Sequence, residues 1–215
     1  MVATENGHEE IVQSLIRKAP SVVEMKDEDG RSALNVALQN EQLELTTLLL
    51  KEGSFSTPSP VLEEFFFDAT RYGAIKIVEA VLQKGSVIPD SKDSNNRTPL
   101  SWAAEGHEAI VKLLLDTGKV NVDSKDQDGR TPLSWAAQYG QERIFELLLE
   151  TGKVNTNSKD QNGQTPLWWA VHNRYERIVK LLLGQGMPTS TPRIRMDRRF
   201  YHGRHSTDIS MVGGT

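Results

Sequence analysis

The chain has 215 residues, 37% of them apolar and 25% charged, a foldable composition outside the range of intrinsic disorder. Cysteine is absent, which excludes disulfides, thiolate catalysis and sulfur-ligated metal and suits a reducing compartment, so the cytosol or nucleus is the expected location. The net charge is −4, and five Arg against two Asp put +3 on residues 187–215, leaving −7 on residues 1–186; such a body is a poor start for binding nucleic acid, and no apolar run is long enough to span a membrane.

In chain order, six segments share one pattern: 7–16, 41–50, 73–82, 106–115, 140–149 and 174–183. Within each, apolar residues recur at i, i+1, i+3, i+4 and i+5, a broad buried stripe on a short helix. A second phrase precedes the last three: Thr98-Pro99-Leu100-Ser101-Trp102-Ala103-Ala104, its copy at 131–137, and Thr165-Pro166-Leu167-Trp168-Trp169-Ala170-Val171. It predicts another short helix with Pro in the first turn, where a missing N–H costs nothing. Gly118 and Gly152 end the second helix of their units, and Gly106 and Gly140 break between the two helices. Asp128-Gly129 and Asn162-Gly163 make tight turns ahead of the next unit. Leu100, Leu133 and Leu167 are 33 and 34 residues apart, so a turn–helix–helix unit is copied along the chain. A period of that length predicts a solenoid, whose units bury their apolar faces on each other.

The copies differ in ways that set expectations. The first unit (1–26) is partial and begins inside its own first helix, which predicts a piece of a longer array. The second (27–58) has Ser32-Ala33-Leu34 for Thr-Pro-Leu and Glu41 for Gly. The third (59–92) replaces the turn with Ser59-Pro60-Val61-Leu62-Glu63-Glu64-Phe65-Phe66 and returns to phase at Ala69, Gly73 and Ile77. Residues 53–60 therefore predict an irregular joint, with a strained or splayed stack between units two and three. The fourth (93–125) has lost one residue before Gly106; the fifth (126–159) and sixth (160–186) complete the array.

The unit resembles the ankyrin repeat. Asp126-Gln127-Asp128-Gly129-Arg130-Thr131-Pro132-Leu133, then Ala136-Ala137, Gly140 and Leu147-Leu148-Leu149, follow that family's order. The Ser-Trp after Leu and the Lys-Asp before the turn (26–27, 92–93, 125–126, 159–160) are similar to arrays common in filamentous fungi. The resemblance covers roughly residues 1–186. It implies an all-α solenoid of about five and a half repeats, a binding module rather than an enzyme, and no cofactor or metal.

After Gly186 the pattern stops. Read one base out of phase, degenerate codons for 187–210 allow Lys-Asp, Asp-Gly, Ser-Trp-Ala-Ala and Gly-His in order at the spacing of a further repeat. The expectation is a frameshift or mispredicted splice near codon 187, which makes 187–215 a disordered by-product.

Several features invite functional readings. His107-Glu108 and His8-Glu9 begin like a zinc-protease helix, yet Val111 and Val12 stand where the second His belongs, so no metal pair forms. Asn96-Arg97-Thr98 matches a glycosylation acceptor without a secretory route to use it. The tryptophans Trp102, Trp135 and Trp169 read as stacking core. What remains is a surface. The resemblance implies that partners dock on a concave side built from turn tips and first helices, and the residues it assigns there include Arg31, Arg71, Tyr72, Arg97, Arg130, Gln138, Tyr139, Gln164, Trp168, His172 and Asn173. Arg31, Arg97 and Arg130 share one column and Tyr72 and Tyr139 another, both residue types that often anchor interfaces. Two readings follow: a scaffold binding a protein partner, or a truncated fragment of a longer receptor-type array with no job of its own. The sixth unit keeps Ile178, Val179 and Leu181–Leu183 without a polar cap, which predicts weak self-association through that end.

Overall fold

In the computed structural model, which describes residues 1–57 and 59–184, every expected apolar stripe is a helix. The first unit holds α1 (Val2–Glu5) and α2 (Glu9–Lys18), followed by a 3-10 turn at Pro20–Glu24. Then come α3 (Ala33–Gln39) and α4 (Leu43–Glu52), α5 (Pro60–Arg71) and α6 (Ile75–Lys84), and α7 (Pro99–Ala103) and α8 (Glu108–Asp116). The array continues with α9 (Pro132–Gln138) and α10 (Glu142–Glu150), then α11 (Pro166–His172) and α12 (Glu176–Gly184). Among the described residues the β content is one isolated bridge, Lys26 to Ser32. The tail at 187–215 lies outside the described residues.

Each first helix starts where its sequence says. The hydroxyls of Thr98, Thr131 and Thr165 accept from the backbone N–H three residues on, with Pro at the first helical position. Ser59 caps α5 in the same way, and Ser32 forms a capping box with Asn35. Such caps contribute about 1 kcal/mol each, a large share for helices this short.

Tertiary burial supplies the rest. First helices stack on first helices and second on second, giving two layers. One apolar cluster runs between them from Val12 and Ile16 through Leu34, Phe65, Leu100 and Leu133 to Ile178 and Leu182. Burying each large side chain stabilises by roughly 1.5–3 kcal/mol, so every unit depends on its neighbours. The layers lie close at the inter-helix loops. A Cβ on Gly73 would fall 2.6 Å from the His107 ring, and one on Gly140 2.5 Å from the Tyr175 ring; both glycines also have positive φ. His107 fills that turn by hydrogen bonding through Nε2 to the Arg71 carbonyl, at 2.9 Å.

The turns before the first helices repeat one hydrogen-bond pattern. Oδ1 of Asp27, Asp93, Asp126 and Asp160 accepts the N–H groups two and four residues ahead, at 2.8–3.1 Å. Unit three departs from this. Its α5 has 12 residues against five to seven in α7, α9 and α11, so helix replaces the turn tip.

The expected splay between units two and three is absent. Glu24 Oε1 accepts from the Ser56 N–H (3.0 Å), the Ser56 hydroxyl (2.8 Å) and the Ser59 hydroxyl (2.7 Å). Ser54 N–H donates to the Pro20 carbonyl at 3.1 Å. Lys84 reaches the Leu50 carbonyl at 2.9 Å while its ammonium sits 5.0 Å from the Phe55 ring centre. The joint is irregular in sequence but tied down on both sides, because its polar side chains do the work that the regular turn does elsewhere.

Candidate functional site

The arginine and tryptophan columns, separate in sequence, interleave in space. Counted by guanidinium carbon to ring centre, Arg71 lies 5.0 Å from Trp102, and Arg97 lies 3.4 Å from Trp102 and 4.0 Å from Trp135. Arg130 follows at 4.8 Å from Trp135 and 4.9 Å from Trp169. Each stacked arginine thus touches the tryptophan of its own unit and that of the next. The indole N–H groups of Trp102 and Trp135 donate to Oδ2 of Asp93 and Asp126 at 2.9 and 3.0 Å, which ties the ladder to the turns. Its charges are also balanced: Arg97 pairs with Glu105, and Arg130 lies 4.0 Å from Asp160 while donating to Gln138 at 3.2 Å.

This corrects one assignment. Arg97 is buried, 7% exposed, and its contacts are internal, so it does not belong to an accessible surface. Arg130 is half-buried in the same ladder. Arg31 has no tryptophan to stack on, since Val36 holds that column, and instead pairs with Asp27 at 2.9 Å and Asp29 at 3.2 Å. Trp135 is buried, whereas Trp102 and Trp169 are half-buried.

The other assigned residues reach solvent. Tyr72 and Tyr139 are 57% and 44% exposed at the C-terminal ends of α5 and α9, and Tyr139 stacks on Trp135. Arg71 is exposed. Trp168 is half-buried, stacked on the exposed His172 ring at 4.6 Å and edge-on to Trp169 at 4.9 Å. Gln138 and Asn173 are half-buried and adjacent, Asn173 Nδ2 donating to the Gln138 carbonyl at 3.0 Å; Gln164 is half-buried too. Leu183 is exposed at the end of α12, but Val2, Ile11, Leu15 and Met25 are exposed at the opposite end of the stack.

A groove that the residue pattern did not reveal opens where unit three lacks its turn tip. It has a volume of about 670 Å³, and its walls include Glu63, Glu64, Phe67, Asp68, Arg71, Asp93 and Trp102. Asp68 occupies the tryptophan column of unit three, five residues before Gly73 as Trp135 is five before Gly140. Glu63, five places earlier again, takes the arginine column, as Arg130 stands five before Trp135. Asp68 is half-buried and accepts from Asn35 Nδ2 at 2.6 Å. Burial is the largest influence on its carboxyl and raises its pKa; the nearby Glu64 charge adds to this, while the Asn35 hydrogen bond and Arg71 oppose it. The signal was present in the sequence as two acidic residues at positions that hold Arg and Trp in units four and five.

A family model for ankyrin repeats matches the chain in three copies, at residues 1–59, 63–126 and 118–191. No curated protein matches it. Among the described residues no helix is long and apolar enough to cross a membrane.

Proposed function

Since the chain belongs to the ankyrin-repeat family, whose arrays mediate protein–protein interaction, we propose that it is a non-catalytic scaffold that binds a protein partner along the side formed by its turns and first helices. The observation that carries this reading is the exposure of Tyr72 and Tyr139, 57% and 44%, at one inter-helix position of units three and five. A large aromatic ring held out to water adds little to the fold beyond such contacts as the stacking of Tyr139 on Trp135, whereas in an interface it supplies contact area at low entropic cost. Arg71, Gln138, Trp168, His172 and Asn173 extend the same edge, and Arg97 is withdrawn from it. The surface is therefore aromatic and polar with few free cations, suited to a protein and unsuited to a phosphate backbone.

The test is affinity capture from the native host with the full chain. It is run beside a Tyr72→Ala, Tyr139→Ala, Trp168→Ala variant and a control carrying Glu108→Gln and Arg143→Gln on the second-helix layer. Partners that the control retains and the triple variant loses support the reading. Retention of the same partners by all three proteins overturns it.

A further inference from the structure

The ladder shows, inside this molecule, what fits between successive first-helix rungs. In units four and five that place is filled by a guanidinium from the unit's own turn, Arg97 at 3.4 and 4.0 Å from two rings and Arg130 at 4.8 and 4.9 Å. In unit three the arginine position is Glu63 and the tryptophan position is Asp68. The unit therefore supplies two carboxylates and no turn arginine, and the 670 Å³ groove lies there, between these acids and Trp102.

Two further features favour a cation in this groove. Four carboxylates line it, those of Glu63, Glu64, Asp68 and Asp93, against one lining guanidinium, Arg71. Glu64 is engaged with Lys26, and both oxygens of Asp93 are used, by the turn N–H groups and by Trp102. Glu63 and Asp68 form no ion pair within 4.0 Å among the described residues. Arg71 is exposed and stands 5.0 Å from the Trp102 ring, a looser cover than Arg97 gives the same ring. Asp68 is a half-buried charge whose ionised form burial disfavours, so at this position it costs stability that an uncharged residue would not.

We propose that this groove receives an arginine side chain from the partner protein, the guanidinium bridging Asp68 and Glu63 and stacking toward Trp102 as an incoming rung of the ladder. This deepens the reading above and rests on it: it specifies the chemistry of one anchor on the binding side. Arginine is favoured over lysine because a planar cation can both stack on an indole and fork onto a carboxylate.

The probe is a fluorescein-labelled arginine–glycine–serine peptide, titrated against the full chain by anisotropy at low salt, with a lysine peptide of the same spacing alongside. Saturable binding is expected, with the arginine peptide about fivefold tighter, the factor that roughly 1 kcal/mol of stacking gives. Asp68→Asn with Glu63→Gln should weaken it about tenfold or more, while Glu9→Gln with Glu10→Gln, an equal loss of charge on α2, should change it less than about twofold. Asp68→Asn keeps an acceptor for Asn35, and thermal melts of both variants check that the fold is intact. Equal weakening by the two pairs, no saturable binding, or a preference for lysine overturns the proposal. So does tighter peptide binding by a full chain carrying Arg193→Gln, Arg195→Gln and Arg198→Gln, because the groove's occupant would then be the chain's own tail. If the peptide fails while partner capture still requires Tyr72 and Tyr139, the groove assignment falls and the scaffold reading stands.

Discussion

Arg97 has its guanidinium between two indoles and its charge against Glu105, with a side chain 8% exposed. Removing it deletes two cation–π contacts and strands a partly buried carboxylate, effects worth about 0.5–2 kcal/mol for each contact and more for the broken pair. Arg97→Ala is expected to lower stability by about 3 kcal/mol in urea unfolding followed by tryptophan fluorescence. Tyr72→Ala, by contrast, should stay within about 0.5 kcal/mol, since it touches water rather than core. Both columns were visible in the sequence, but the tryptophans read as stacking core and the family resemblance assigned the arginines to the surface. A flat cation escapes that division: it can be buried if a ring lies on each side and a carboxylate at its tip. Whether it does depends on the distance between units, which no single unit's pattern contains. Tyr72 and Tyr139 were legible for the opposite reason, being set by position within one unit.

At the scale of elements, the helices and their starts were readable because caps and apolar stripes are local. The joint at 53–60 was not. Its sequence lacks the Asp and Gly of the regular turn, and the contacts that hold it come from distant residues, among them Glu24, more than 30 residues away. Hydrogen bonds from Ser59 foremost, and from Ser56, lower the Glu24 pKa against an opposing effect of burial. A carboxyl depressed in the folded state contributes stability that is present above its unfolded pKa and is lost as pH falls through the folded one. The joint should therefore loosen as the pH drops below the ordinary glutamate range, about 4.3. Amide exchange at Ser56, corrected for its intrinsic pH dependence, should lose protection there, and Glu24→Gln should show part of that loss already at neutral pH. Unchanged protection in both would mean that apolar contacts such as Phe55 hold the joint instead.

For the whole molecule, one set of bonds between units repeats with the period of the array, and only in part of it. Lys92 and Lys125 each donate to a carbonyl of the following unit, at 3.0 and 2.9 Å. Asp90 and Asp123 accept the N–H of Asn121 and Asn155 at 3.0 and 3.2 Å, and the turn tips join through Gln127 to Asn95 and Gln161 to Asp128. These and the ladder all fall between units three and six. In a stacked array such interface terms decide which part opens first. Hydrogen exchange by mass spectrometry is expected to show α1 to α4 opening before α7 to α10; uniform protection along the array would remove the ladder from that account. The same ladder restricts how such a gene can be rearranged. Each stacked arginine completes its own tryptophan and the one after it, so residues 93–125 could be duplicated in tandem and still give an unbroken alternation of ring and cation. A copy of residues 59–92 placed within units four to six would set Asp68 and Glu63 where ring and cation are required. Units that look interchangeable by their helices are therefore not interchangeable as parts, and the allowed order of recombination is written in the residues five places before each tryptophan.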